Sequence, residues 1–271
     1  MIIDTHVHIG GEKVGFTMTE SMVEQMMTGY GIDCILVSNG DAAEVDHEQK
    51  PIPSEFQTSQ EDALRRTLAF ARKHPGQIYV AVWVKPYGES VTEELEELIR
   101  DNLDIVKAIK LHPFHSKTSP VDSRALPYLR LAEKYGLAVV SHTGNSECDD
   151  PVHVYEAALM FPTVPFIMVH MGLGTDNSKA LALLGKADNL YGDTAWVPMS
   201  TTIEAVKRYG SGKIMFGSDA PIDGVDTYRC NTYGERSIYQ DYFHVLSELI
   251  DDDSYKDLMY RNAIKIFKLD I

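Results

Sequence analysis

The chain has 271 residues, 44% of them hydrophobic, which is ample for a large buried core in one domain spanning 1–271. Its 25 basic and 40 acidic residues leave a net charge of −15, which repels phosphate backbones and anionic membrane surfaces, so neither nucleic acid nor membrane is an expected partner. Three widely spaced cysteines, Cys34, Cys148 and Cys230, fit neither a disulfide framework nor a cysteine zinc site, and a cytoplasmic location is expected.

The first β-branched run is IIDTHVH, residues 2–8, followed by a helix predicted over 19–30 and stopped by Gly31. DCILVS, 33–38, is a second strand, and a helix is predicted over 59–73. The third strand, IYVAVWV (78–84), precedes a helix over 92–102, and the fourth, VKAIKLH (106–112), precedes one over 123–135 that ends at Gly136. LAVVSH (137–142), PFIMVH (165–170) and NLYGDT (189–194) are followed by helices over 152–161, 178–185 and 201–209. KIMFGSD, 213–219, is the eighth strand, and helices over 236–250 and 254–267 close the chain.

Strands alternating with helices, their interiors continuously apolar, describe parallel strands covered on both faces. The length is close to the ~250 residues typical of a (β/α)8 TIM barrel, and that α/β fold is the expected architecture. Two connections, 39–58 and 220–235, far exceed the roughly two to six residues of an ordinary loop and are expected to form a lid or wall over a pocket. No run approaches the ~18 apolar residues that span a bilayer.

Five histidines and one aspartate fall at strand ends: His6 and His8, His112, His142, His170 and Asp219. Side chains alternate faces along a strand, so a His-x-His pair puts both imidazoles on one side, about 6.6 Å apart at the backbone. In a closed parallel barrel all carboxyl ends surround one mouth. Any one such histidine is as readily a satisfied structural residue. Six polar groups at one end each need a partner when buried, and a shared divalent cation provides one for several of them. His47, His74, His115, His153 and His244 fall in loops or helices and are read as surface residues, with His115 and His153 nearest the mouth.

DTHVH on the first strand, IKLHP on the fourth, SHTG on the fifth, VHMG on the sixth, FGSDAP on the eighth and the closing RNAIKIF together resemble the amidohydrolase superfamily, specifically its amidohydrolase-2 group. The resemblance runs from Asp4 to Phe267. It implies His6, His8, His142 and Asp219 as metal ligands, with Asp219 and His170 catalytic. The implied cofactor is one divalent metal, with zinc suited to such ligands. Some members of the superfamily hold a second metal on a carboxylated lysine, for which Lys110 is the candidate; otherwise Lys110 or His112 contacts substrate.

The expected chemistry is hydrolysis of a small-molecule amide, lactam, ester or lactone by a metal-activated water. The alternative is non-oxidative decarboxylation of an aromatic or unsaturated acid. Asn39, Trp83, Lys85 and Trp196, near strand ends, are further substrate-binding candidates, although the tryptophans could equally fill the core. Arg229 and Arg236 could pair with a substrate carboxylate. Cys34 reads as an inert buried thiol, and Asp4 as a group that orients a neighbour. Self-association into a homo-oligomer is left open.

Overall fold

In the computed structural model, residues 1–222 and 238–271 are described. The eight strands pair in parallel in sequence order: β1 Ile3–Ile9, β2 Cys34–Asn39, β3 Ile78–Trp83, β4 Val106–Leu111, β5 Ala138–His142, β6 Phe166–Val169, β7 Leu190–Asp193 and β8 Ile214–Met215. Helices alternate with them: α1 Glu20–Tyr30, α2 Gln60–Ala71, α3 Glu93–Arg100, α4 Pro113–Ser116, α5 Leu126–Tyr135, α6 Pro151–Met160, α7 Ser178–Leu184 and α8 Met199–Tyr209. The expected (β/α)8 barrel is the observed fold. Thr19, Ser59 and Thr92 cap α1, α2 and α3 by accepting backbone N–H groups of Met22, Asp62 and Leu95, satisfying donors that the first helical turn leaves unpaired.

Two apolar layers explain the continuous hydrophobicity of the strands. Val80, Val82, Val139 and Phe166 belong to the layer under the helices, whereas Leu36, Ala81, Ala108, Val140, Ile167 and Met215 belong to the barrel interior. Ala263, Ile266 and Phe267 of the last helix join that interior layer beside Ile3, Cys34, Tyr79 and Ala138, which lie near the amino ends of the strands. One end of the barrel is therefore plugged by apolar side chains. The two-residue period carries the inward face on to Ser38, Trp83, Lys110 and His142 at the other end.

Several elements depart from expectation. β8 is only two residues long, because the chain beyond it leaves the ladder with β7 and turns to β1. Thr5 donates to the Phe216 carbonyl (3.0 Å), Asp219 to that of His6 (2.8 Å), and His8 to that of Ala220 (2.8 Å). These bonds close the barrel. The helix expected over 236–250 is two pieces, Ile238–His244 and Leu246–Leu249, and that over 254–267 is Asp252–Lys256, a π-helical turn Asp257–Arg261, and Asn262–Phe267. The one-turn helix α4 was not expected. Cys230, Arg229, Arg236 and most of the 220–235 segment lie outside the described residues. No described helix is long and apolar enough to cross a membrane.

Candidate metal centre

Three side chains meet where the closing segment joins β1. His6 Nε2 and His8 Nε2 are 3.0 Å apart, and Asp219 Oδ1 lies 3.1 Å from the first and 3.0 Å from the second. Two ligands each about 2.1 Å from one ion and at near-tetrahedral or right angles to each other sit roughly 3.0–3.4 Å apart, so the triangle has the dimensions of a shared coordination sphere. His170 joins from β6: ligand atoms of His6, His170 and Asp219 all lie within 4.8 Å of one another. Lys110 Nζ stands 3.2 Å from His6 Nε2.

Hydrogen bonds behind the imidazoles fix which nitrogen offers a lone pair. Asp193 Oδ2 accepts from His6 Nδ1 (2.9 Å) and the Ala195 carbonyl accepts from His170 Nδ1 (3.1 Å), so in both rings Nε2 carries the lone pair when the ring is neutral. Ser38 Oγ meets His8 Nδ1 at 2.9 Å. His142 faces Asp149 through Nε2 (3.5 Å), while among the described residues its buried Nδ1 has no hydrogen-bond partner. The donor set of His6, His170 and Asp219 suits a divalent ion.

The electrostatics agree. Burial drives the imidazoles of His6, His8 and His142 below their ordinary pKa, and that of His170 to about 3, so these rings are neutral at pH 7. Burial alone would raise Asp219, yet the imidazoles of His6, His8 and His170 hold its carboxyl well below the carboxylate range. Burial also lowers the Lys110 ammonium, opposed by the charges of Asp219 and Asp193. Backbone strain accompanies this arrangement. His170, Trp196 and Asp219 all have left-handed φ values, 66°, 58° and 66°, conformations that cost non-glycine residues about 1–3 kcal/mol each and concentrate at functional sites.

A cavity of about 340 Å3 opens above this cluster. His8, His142, His170 and Asp219 form its floor, and Trp83, Phe114, Leu173 and Phe16 its apolar walls. Within it Trp83, His112 and His142 form a stack: ring centres are 4.8 Å apart for the first pair and 4.1 Å for the second, with planes within about 15°. His112 accepts the His115 backbone N–H on Nδ1 (3.4 Å), and burial keeps its ring neutral, so its proton sits on Nε2.

The structure brings His6, His8, His142, His170, Asp219, Lys110, His112 and Trp83 to one place. Trp196 is not among the described residues that line the cavity; it is 38% exposed and donates its indole N–H to Asp219 Oδ2 (2.8 Å). Asn39 is turned away. Its amide accepts from Asp41 N and donates to the Ala63 carbonyl, and it lines a separate surface groove with Arg66. Lys85 is also removed from the cavity, fully buried and bound to Thr58, Gln57 and Glu89. Asp4 accepts from the backbone N–H groups of His6 and Ser218 and from the Ser218 hydroxyl. Cys34 is buried, its thiol pushed up to about 12 by burial.

His115, read as a surface residue, is 6% exposed and lines the cavity, because the Val45 carbonyl accepts its Nδ1–H at 2.8 Å and draws the ring under the 39–58 segment. That segment contributes Gly40 and His47 to the wall, and the shorter loop after β1 contributes Val14, Phe16 and Met18. Asp193 and Asp149 went unnoticed in the sequence. Asp193 carried a signal, a carboxylate at a strand end in GDT, that a search for histidines passes over.

Residues 3–269 match the family model described as amidohydrolase. No curated protein matches the chain. Among solved structures, an uncharacterised TIM-barrel protein from Bordetella bronchiseptica aligns with a TM-score of 0.68 at 16% identity, over 99% of this chain and 98% of its own. A probable 2-pyrone-4,6-dicarboxylic acid hydrolase from Acinetobacter baumannii gives 0.65 at 14% identity, over 98% and 99%. A dihydroxybenzoic acid decarboxylase from a Polaromonas species, with bound manganese and 2-nitroresorcinol, gives 0.69 at 15% identity, over 100% and 97%.

Proposed function

Because the chain belongs to the amidohydrolase family, we propose that it is a zinc-dependent hydrolase acting on a small-molecule amide, lactam, ester or lactone. The observation that carries this reading is the division of labour within Asp219: Oδ1 faces His6 and His8, and Oδ2 faces His170 and Trp196. His6, His8, His170 and Asp219 would hold the ion, with His142 offering its orphan nitrogen. A bound divalent ion acts as a Lewis acid that lowers the pKa of water toward neutrality.

The chain's own groups supply the remaining chemistry. Asp219 Oδ2, outside the triangle, takes the proton of the attacking water and returns it to the leaving group. His170 Nε2, 4.0 Å from that oxygen, carries a lone pair and no proton, so it cannot donate a hydrogen bond to a carbonyl. The donor to the carbonyl oxygen is His112 Nε2–H. Trp83 and His112 form a wall suited to a flat substrate.

That flat wall also favours a second reading, decarboxylation of an aromatic acid, the reaction named for the Polaromonas protein. One experiment separates them. Zinc-loaded enzyme is offered a panel of lactones, lactams, esters and aromatic acids, with product acid and carbon dioxide measured together. A new carboxylate without gas is expected; carbon dioxide release would replace the hydrolase reading by the decarboxylase. Asp219→Asn should reduce turnover by about 10²–10⁴-fold while circular dichroism is unchanged.

A further inference from the structure

Trp196 follows β7 by three residues, and its large aromatic ring is 38% exposed on a backbone with φ 58°. A non-glycine residue persists in that region only where surrounding contacts determine it. One such contact is the hydrogen bond from its indole N–H to Asp219 Oδ2 at 2.8 Å. Asp219 has left-handed backbone itself and is anchored by its own N–H to the His6 carbonyl. Its main chain is thus fixed, while rotation about its side chain would exchange the two oxygens.

We propose that Trp196 is a positioning residue that locks the rotation of the Asp219 carboxylate, directing Oδ1 at His6 and His8 and reserving Oδ2 for the substrate side. The indole suits this task because it is a donor only: it cannot accept a proton from the carboxylate or compete for a cation. A carboxylate oxygen has a second lone pair, so Oδ2 keeps one acceptor site while the indole holds the other. A phenylalanine would fill the same space without the bond. The proposal rests on Asp219 belonging to the metal centre, but the bond itself can be read independently of metal.

The chain has two tryptophans, so a ¹⁵N-labelled sample shows two indole N–H resonances, and Trp196→Phe or Trp83→Phe assigns them by elimination. The Trp196 indole proton is expected to exchange more slowly than its exposure allows, and Asp219→Asn should move its resonance upfield. Trp196→Phe should weaken zinc binding by about 10- to 100-fold with unchanged circular dichroism, as loss of a group orienting a ligand does, and Trp196→His, which retains an N–H, should recover part of that loss. Unprotected exchange in the wild type, a resonance unmoved by Asp219→Asn, or wild-type zinc affinity in Trp196→Phe would each overturn the proposal. If the wild type itself bound no zinc, the metal reading would fail while the indole resonance still reported on the bond.

Discussion

Asp193 uses both of its oxygens on the site. Oδ2 accepts His6 Nδ1–H, and Oδ1 accepts the backbone N–H of His170 at 2.8 Å, so one carboxylate directs the His6 ring and anchors the main chain of His170. Asparagine keeps only one acceptor oxygen. Held by the His170 N–H, it would present an amide N–H₂ to His6 Nδ1, which must then give up its proton and carry one on Nε2, where the lone pair is needed. Asp193→Asn is therefore expected to lower zinc affinity by about 10- to 100-fold, measured by competition with a chromophoric chelator; unchanged affinity would show that His6 is oriented by something else. At this scale the sequence is legible where a residue's own chemistry marks it out, as for His6, His8 and Asp219, whose side chains meet within about 3 Å. It is opaque where the role comes from a neighbour. His115 is three residues beyond His112, but only the Val45 carbonyl, 70 residues away in sequence, makes it part of the cavity wall.

Elements around the mouth are tied to each other by buried polar contacts. Glu44, in the segment after β2, accepts backbone N–H groups of Gly88 and, at 3.2 Å, Tyr87 in the loop after β3, and burial raises its carboxyl to about 7. An unfolded chain releases this proton near 4.5. Between those values the folded state holds a proton that the unfolded state has lost, so stability falls as pH rises through this window, by roughly 3 kcal/mol in total. Glu44→Gln cannot ionise and should remove that slope. Urea unfolding at pH 5 and pH 8 is the check: the variant should gain on the wild type at the higher pH, and an equal difference at both would rule Glu44 out as the source. Strand and helix positions were readable from apolar runs and caps such as Thr19 and Thr92. The length of β8 was not, because Phe216 to Asp219 look like a continuing strand and only the geometry of closure turns them toward β1.

At the scale of the whole molecule, the order of strands follows from right-handed helical crossovers between successive parallel strands, which is why the barrel could be inferred from alternation and chain length. What alternation does not reveal is that the candidate metal centre straddles the seam. His6 and His8 come from the first strand and Asp219 from the segment after the last, and the backbone bonds from Asp219 to His6 and from His8 to Ala220 run beside them. A cation held by both sides would add a cross-link between the two ends of the sheet. Binding only the folded state, zinc at 100 times its dissociation constant stabilises by about 2.7 kcal/mol, which in a chain of this size corresponds to roughly 5–10 °C in melting temperature. Because the link spans the seam, its effect on local opening should be uneven. Amide exchange is expected to slow on zinc addition across residues 3–9 and 214–220, and far less across β3 and β4, whose ladders close without the metal. Asp219→Asn should lose both the thermal gain and the localised protection. Uniform slowing over all eight strands would mean that zinc stabilises the barrel without bridging its ends.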